Sequence, residues 1–370
     1  MADDDAPEVL DLGVLNDPAQ PGPRPPGLPR RALFTLGGAA ALGVGVTLVR
    51  SRTSVPAPDA RTPVVVSDLN RPLLAGPPVD VFGSGEQEVV RVEAGTGRVT
   101  RTYLPGVADV RPDLVPVDGG VLVHRGDDGR SWLVPDGQPA RPVPALQRRG
   151  PMLPGPDLGH VWLMSGSGPN APLMLVGLDG LVLRRGVGVS AQLSSYPVPD
   201  GTGYPLFFGL QGVYRAGPRG LRRVTTGAVL ANGPRGWLVL ECDEQSRCST
   251  VLVRRGGTRS PVGISPTDVA ATIGGALSPD GRRVALYLGT AAADPGLILV
   301  DLVTEGRLRS DTTLAPGASR RSLRWSPDGA ALLTVASPGR VVAVDPGTGR
   351  SDPLLPESAA VAVRDIAIRA

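Results

Sequence analysis

The segment VVRVEAGTGR at Val89 to Arg98 returns as VVAVDPGTGR at Val341 to Arg350, identical at seven of ten positions and displaced by 252 residues. Six steps of 42 residues span that displacement. A repeat of this length, with short Val/Leu runs and a glycine turn in each unit, is the pattern of β-propeller blades. Six steps between equivalent points predict an all-β fold of seven blades over residues 63–370.

A second marker carries the same phase. Turn signals ahead of an apolar run fall at Asp118-Gly119, Asp157 to Gly159, Asp200-Gly201, Arg235-Gly236, Asp280-Gly281 and Asp328-Gly329. One step earlier lies Gly76-Pro77, just before VDVFG, which opens the first blade. Uneven spacing between the markers is what loops that absorb insertions produce.

The 50 glycines and 40 prolines punctuate short apolar runs rather than forming low-complexity tracts. Every one of the 38 basic residues is arginine, the codon bias of a GC-rich, bacterial genome, so a single arginine is weak evidence of function. Net charge is only +3, and past the linker arginines and acids are nearly balanced. That mixed surface argues against a nucleic-acid partner, which would need a concentrated basic footprint.

Residues 1–29 combine six acids with repeated prolines and read as a disordered tail. Arg30-Arg31 then precede an uncharged run from Ala32 to Val49, closed by Arg50. As a helix, 18 residues rise about 27 Å, close to the hydrocarbon thickness of a bilayer. Residues 30–50 therefore read as one transmembrane signal-anchor. Arg30 and Arg31 ahead of Ala32-Leu33-Phe34 resemble a twin-arginine export signal, although Pro29 stands where Ser or Thr is usual. Cleavage and secretion are the alternative, without a convincing cleavage site. Residues 51–62 form a Pro-containing linker.

Orientation is not set by flanking charge, since three arginines lie on each side of the run. The two cysteines say more. Cys242 and Cys248 flank a polar loop between two β-like runs, where cross-strand positions meet disulfide geometry. A structural disulfide there places the propeller outside the cytoplasm. With only two histidines in the chain, a metal site on the cysteines lacks ligands.

The clearest repeats are ALSPDGRRVALYL at Ala276 to Leu288 and LRWSPDGAALLTV at Leu323 to Val335. Each shows an inner strand, a turn and a second strand. In the turns Ser278-Pro279-Asp280-Gly281 and Ser326-Pro327-Asp328-Gly329, Pro fixes φ, Asp bonds the backbone ahead and Gly admits positive φ. These segments resemble TolB-type, WD-repeat-like blades, strongly in two units and by phase in the others. The resemblance implies a scaffold for partner binding and names no partner.

Asp127 to Trp132 and Asp157 to Trp162 resemble the Asp-box of sialidase-like propellers, D-x-G-x-x-W, without its leading Ser and at different points of the blade. They read as folding turns over a packed Trp. His124 ends an apolar run and His160 lies in a turn, and both read as surface or strand-end residues. No G-x-S-x-G elbow or phosphate loop accompanies them, and no cofactor, metal or catalytic residue is expected.

Closure requires strands from both termini. Either Ala360 to Ala370 enters the first blade as its inner strand, or Pro63 to Val66 completes the seventh. The expected function is a non-catalytic, membrane-anchored scaffold binding a protein or cell-wall partner. The alternative is an extracytoplasmic enzyme or lectin-like module acting on glycans through carboxylates.

Overall fold

The computed structural model describes residues 61–105, 112–165, 171–189, 193, 197–217, 220–289, 296–315, 322–355 and 362–370. The acidic tail, Arg30, Arg31 and the candidate span lie outside the described residues. Among the described residues, no helix is long and apolar enough to cross a membrane.

The described chain is almost entirely antiparallel β-structure. The first unit contains β1 (Val64–Asp68), β2 (Asp80–Ser84), β3 (Glu88–Glu93) and β4 (Arg98–Tyr103). The second contains β5 (Asp113–Val117), β6 (Gly120–His124), β7 (Ser131–Pro135) and β8 (Arg141–Pro142). The third contains β9 (Met152–Pro154), β10 (His160–Met164), β11 (Ala171–Gly177) and β12 (Val182–Val189). The fourth contains β13 (Val198–Pro199), β14 (Pro205–Gly209), β15 (Gly212–Gly217) and β16 (Gly220–Thr225).

Four strands follow, β17 (Ala228–Gly233), β18 (Gly236–Cys242), β19 (Cys248–Arg254) and β20 (Arg259–Pro261). A single helical turn and a half, α1 (Pro266–Ala271), leads into β21 (Thr272–Leu277), β22 (Arg283–Leu288), β23 (Gly296–Asp301) and β24 (Arg307–Arg309). The last unit contains β25 (Arg324–Trp325), β26 (Leu332–Ala336), β27 (Arg340–Val344) and β28 (Ser351–Pro353), and β29 (Asp365–Arg369) ends the chain.

Hydrogen bonding divides these strands differently from the sequence expectation of seven separate blades. Five sheets of four or five strands stand alone as blades, and β17 to β24 form one eight-stranded sheet. The two halves of that sheet are joined by one parallel pair, Asn232 opposite Ala276. The inner strands approach closely enough there for a ladder contact that sequence spacing does not reveal.

The first and the last described strands enter the same blade. β29 pairs antiparallel with β2 from Asp80↔Arg369 to Ser84↔Asp365, so the C-terminal strand is the first blade's inner strand. The N-terminal β1 pairs with β4 on the opposite edge, not with the final unit. Pro63 to Val66 therefore does not complete a seventh blade. Its Val-rich run adds a fifth, outermost strand to the first.

The repeated decapeptide occupies the same place twice, the hairpin from third to fourth strand. In each copy the second Gly donates to the acid's carbonyl at 2.8 Å, Gly97 to Glu93 and Gly349 to Asp345. The Thr hydroxyl donates to the acid carboxylate, Thr96 to Glu93 at 3.2 Å and Thr348 to Asp345 at 2.9 Å. Gly97 and Gly349 have φ of 73° and 72°, a left-handed conformation that explains the conserved spacing of this repeat within the chain.

Alternation on the strands places apolar side chains between neighbouring units. Val81, Val90 and Val92 of the first blade pack on Leu333, Val335 and Val341 of the last. Val115 and Leu122 meet Val161 and Leu163. Leu206 and Val213 meet Val229 and Val239. The stability of the fold lies in these joints, each fully buried Val or Leu contributing about 1.5–3 kcal/mol of transfer free energy.

Because each unit is a meander, its turns alternate between two faces. The connections from first to second and third to fourth strand share one face, called lower here. The connections from second to third strand, and from one unit to the next, share the upper face.

Candidate functional site

All six turn signals of the sequence lie on the lower face, between the first and second strands of their units. The two S-P-D-G turns are nearly superimposable in their bonding. Ser278 Oγ donates to Asp280 Oδ1 at 2.6 Å and accepts from Arg283 N at 2.9 Å. Ser326 Oγ donates to Asp328 Oδ1 at 2.6 Å and accepts from Ala331 N at 2.9 Å. Gly281 and Gly329 have φ of 71° and 72°. Hydrogen bonding from the serines holds both carboxyls below the ordinary aspartate value, with burial opposing: for Asp280 burial is the larger influence, for Asp328 the Ser326 bond is. These turns have their polar groups engaged locally.

Cys242 and Cys248 are bonded to each other and are directly opposite in the β18–β19 ladder, with Cα atoms 3.9 Å apart. Both are exposed, on the upper face. Within the loop Asp243 Oδ1 accepts from Gln245 N at 3.0 Å and Arg247 N at 2.9 Å, and Asp243 Oδ2 accepts from Arg247 Nε at 2.8 Å. The backbone bond from Arg247 leads in holding the Asp243 carboxyl below its usual value. The hairpin tip is thus bound from both sides of its loop.

His124 is the last residue of β6, the strand-end position of the two expected, and it is fully buried rather than at the surface. Its Nε2 lies 2.8 Å from the Gly150 carbonyl and its Nδ1 2.8 Å from Ser131 Oγ. A carbonyl only accepts, so Nε2 carries the proton in the neutral ring. Burial pushes the His124 pKa down against the Gly150 bond and the charges of Asp113, Asp128 and Asp127. His160, by contrast, is the first residue of β10 and half-buried, its Nδ1 2.5 Å from Asp157 Oδ1 of the preceding turn. Trp132 and Trp162 of the two Asp-box-like segments are buried, the first on the upper-face side of its unit and the second after a lower-face turn.

Two carboxylates do converge with arginines where the chain ends meet. Arg369 donates to Asp136 Oδ2 at 2.7 Å and, through Nε, to Asp80 Oδ2 at 3.1 Å. Arg91 reaches Asp80 at 3.1 Å and both Glu93 and Asp136 at 3.3 Å. Burial opposes the Arg369 charge, but the bonds from Asp136 and Asp80 outweigh it and hold its pKa above the ordinary value. Beside this network is an open cleft of about 170 Å³, bordered by Pro78, Glu93, Thr96 and Ala370. Both acids are engaged by guanidinium groups, Asp80 by Arg91 and Arg369 and Asp136 by the same two arginines.

Sequence reading missed the most heavily bonded acid. Asp200, in the lower-face turn after β13, has no exposed side-chain surface. Its Oδ2 lies 2.5 Å from Arg215 Nε and 2.8 Å from Arg255 Nη1, and its Oδ1 accepts from Thr202 N at 2.7 Å. Arg255 also donates to the carbonyls of Asp200, Gly233 and Pro234 while lying over the Trp237 ring. Burial works against the Asp200 charge, yet the Arg215 bond, the Arg255 charge and the Thr202 N–H together hold its carboxyl below the usual value. The Asp-Gly dipeptide marked the turn, but no local signal marks arginines 15 and 55 residues away.

Among the described residues no group of three or more His, Cys, Asp or Glu side chains is placed to hold a metal. The fold and these sites define an all-β protein of propeller blades. Its backbone resembles an oligogalacturonate lyase in complex with manganese, at 13% identity, TM-score 0.47 and coverage of 74% of this chain and 84% of that one. It also resembles TolB from Acinetobacter baumannii, at 15% identity, TM-score 0.43 and coverage of 80% and 83%. The periplasmic gluconolactonase of Pseudomonas aeruginosa aligns at 17% identity and TM-score 0.43, over 80% of this chain and 99% of that one. The likeness is one of fold alone. No protein-family model matches this chain, and no curated protein matches it.

Proposed function

We propose that the chain is a bacterial, single-pass, membrane-anchored propeller outside the cytoplasm that binds a protein or cell-wall partner without catalysing a reaction. The observation that carries this reading is the pre-organised hairpin tip between Cys242 and Cys248. A loop held by a disulfide and by three bonds to Asp243 loses little entropy on binding, which favours recognition. Leu210, 94% exposed, lies at a neighbouring upper-face turn and adds an apolar contact point. The exposed disulfide also supports an oxidising compartment, and the uncharged run from Ala32 to Val49 supports the anchor.

We further propose that the eight-stranded sheet acts as two blades, giving a ring of seven. Supporting this count, its halves are complete four-stranded meanders joined by one residue pair. Leu230, Leu238 and Leu252 of one half pack face to face on Val284, Leu286 and Ile298 of the other, as separate blades do.

The test is cross-linking of intact cells that express the tagged full-length chain, followed by mass spectrometry of the membrane fraction. The expected result is one reproducible envelope component that is lost when residues 242–248 are replaced by a Gly-Ser loop. Recovery of the chain alone, under conditions that capture a known envelope complex, would overturn the binding reading. Thiol labelling of Cys242 and Cys248 in whole cells without prior reduction would overturn the location.

A further inference from the structure

The outer rim between the third and fourth units carries a surface that the hairpin-tip reading does not use. Among the described residues β12 is the edge strand of its sheet, hydrogen-bonded on one side only, to β11. At its lower-face start three consecutive apolar residues are exposed, Leu181 at 61%, Val182 at 40% and Leu183 at 49%. Arg184 follows, also exposed. The neighbouring edge strand β16 lies alongside and presents exposed Arg222 and Arg223 directly after its own lower-face turn. Among the described residues none of these three arginines has a carboxylate partner.

The charge around this rim is one-sided. Between Met152 and Thr225 the sequence holds six arginines against three acids and no glutamate. One of the three acids, Asp200, is buried and committed to Arg215 and Arg255. Asp179 is exposed and bonds within its own turn, accepting from Leu181 N at 2.9 Å.

Open backbone groups, exposed apolar side chains and unpaired arginines together specify an occupant. An edge strand offers a row of main-chain donors and acceptors that an extended peptide satisfies and a flat lipid surface does not. A second copy pairing β12 with β12 would bring like-charged arginines together across the ladder, which is unfavourable. We propose that the β12 edge, flanked by Arg222 and Arg223, binds an extended partner segment in which acidic and apolar residues alternate, by adding it as a further strand. The segment's apolar side chains cover Leu181 to Leu183 and its carboxylates meet Arg184, Arg222 and Arg223.

This proposal rests on the partner-binding reading but uses a different surface, so the two fail separately. The probe is a fluorescent seven-residue peptide alternating Glu or Asp with Val or Leu, titrated onto the full-length chain in neutral detergent. Anisotropy is expected to show saturable binding that weakens with salt. Hydrogen exchange is expected to slow along β12 on addition of peptide.

The variant R184E/R222E/R223E, altered only at exposed positions, is expected to weaken binding at least about tenfold. A peptide with Lys in place of its acids should not bind. Equal binding of the Lys peptide, unchanged affinity in the triple variant, protection of strands other than β12, or no binding at about 1 mM would each overturn the proposal. If cells still yield the cross-linked partner from the triple variant, the scaffold reading stands while the β12 assignment falls.

Discussion

Arg255 Nη1 lies 2.8 Å from Asp200 Oδ2, across 55 residues of chain and the joint between the fourth unit and the eight-stranded sheet. The same guanidinium bonds the Gly233 carbonyl, and Asn232 beside it donates to the Pro199 carbonyl. A buried carboxylate thus holds together the ends of β13 and β17.

Asp200→Ala removes the one anion that, among the described residues, pairs with both Arg215 and Arg255. Breaking a buried pair in this way costs about 3–5 kcal/mol, and the partly exposed arginines place the expected loss at the lower end. Denaturant titration of the full-length chain checks this. Because the folded Asp200 pKa lies below its unfolded value, its contribution is present above about pH 4 and lost as pH falls through the folded value. Asp200→Asn should show a shallower acid destabilisation than the native chain.

His124 has the opposite chemistry and the same sign of pH dependence. Its folded pKa is lowered by burial, so below about 6.5 the unfolded chain takes up a proton that the folded ring does not. Stability should therefore fall as pH drops below about 6.5, by up to about 1.4 kcal/mol per pH unit. Asp113 on the paired strand, with Asp127 and Asp128 in the following loop, moderates the slope. Unfolding curves of His124→Gln measured across this range should lack that component.

Reduction of the Cys242–Cys248 bond should lower stability by about 2 kcal/mol, the chain-entropy value for so short a loop. The double substitution of both cysteines by Ser should reproduce the loss. Thermal unfolding with and without reductant distinguishes this from a general effect of reductant, since the serine variant should be indifferent to it.

Gly281→Ala and Gly329→Ala force a side chain into left-handed backbone in equivalent turns. Each should cost about 1 kcal/mol; a Cβ at Gly329 would stand 3.5 Å from Pro279 of the other turn, so the double variant should depart from simple addition. Gly203→Ala should cost more, since a Cβ there would stand 2.0 Å from the Gly155 carbonyl oxygen. Urea midpoints of the three variants give the comparison.

The parts of this architecture legible in sequence are those encoded within ten or so residues. The decapeptide and the S-P-D-G turns repeat because each folds through its own Ser, Thr, Asp and Gly groups. The cysteine pair is legible for the same reason, being joined through one hairpin. What depends on distant approach is not legible: the Asn232 to Ala276 contact that fuses two meanders, the place of β1 on the outer edge, and the convergence of Arg369 with Asp80 and Asp136. The burial of His124 is set by the Leu146 to Gly150 connection folding over it, which no run around residue 124 announces.

The position of β29 has a consequence for how this protein is made. The first blade lacks its inner strand until Asp365 to Arg369 pair with β2, a strand made long before them. Synthesis in the N-to-C direction therefore leaves an open sheet edge at β2 until those residues emerge. A chain that stops before Asp365 has no strand to cover that edge with.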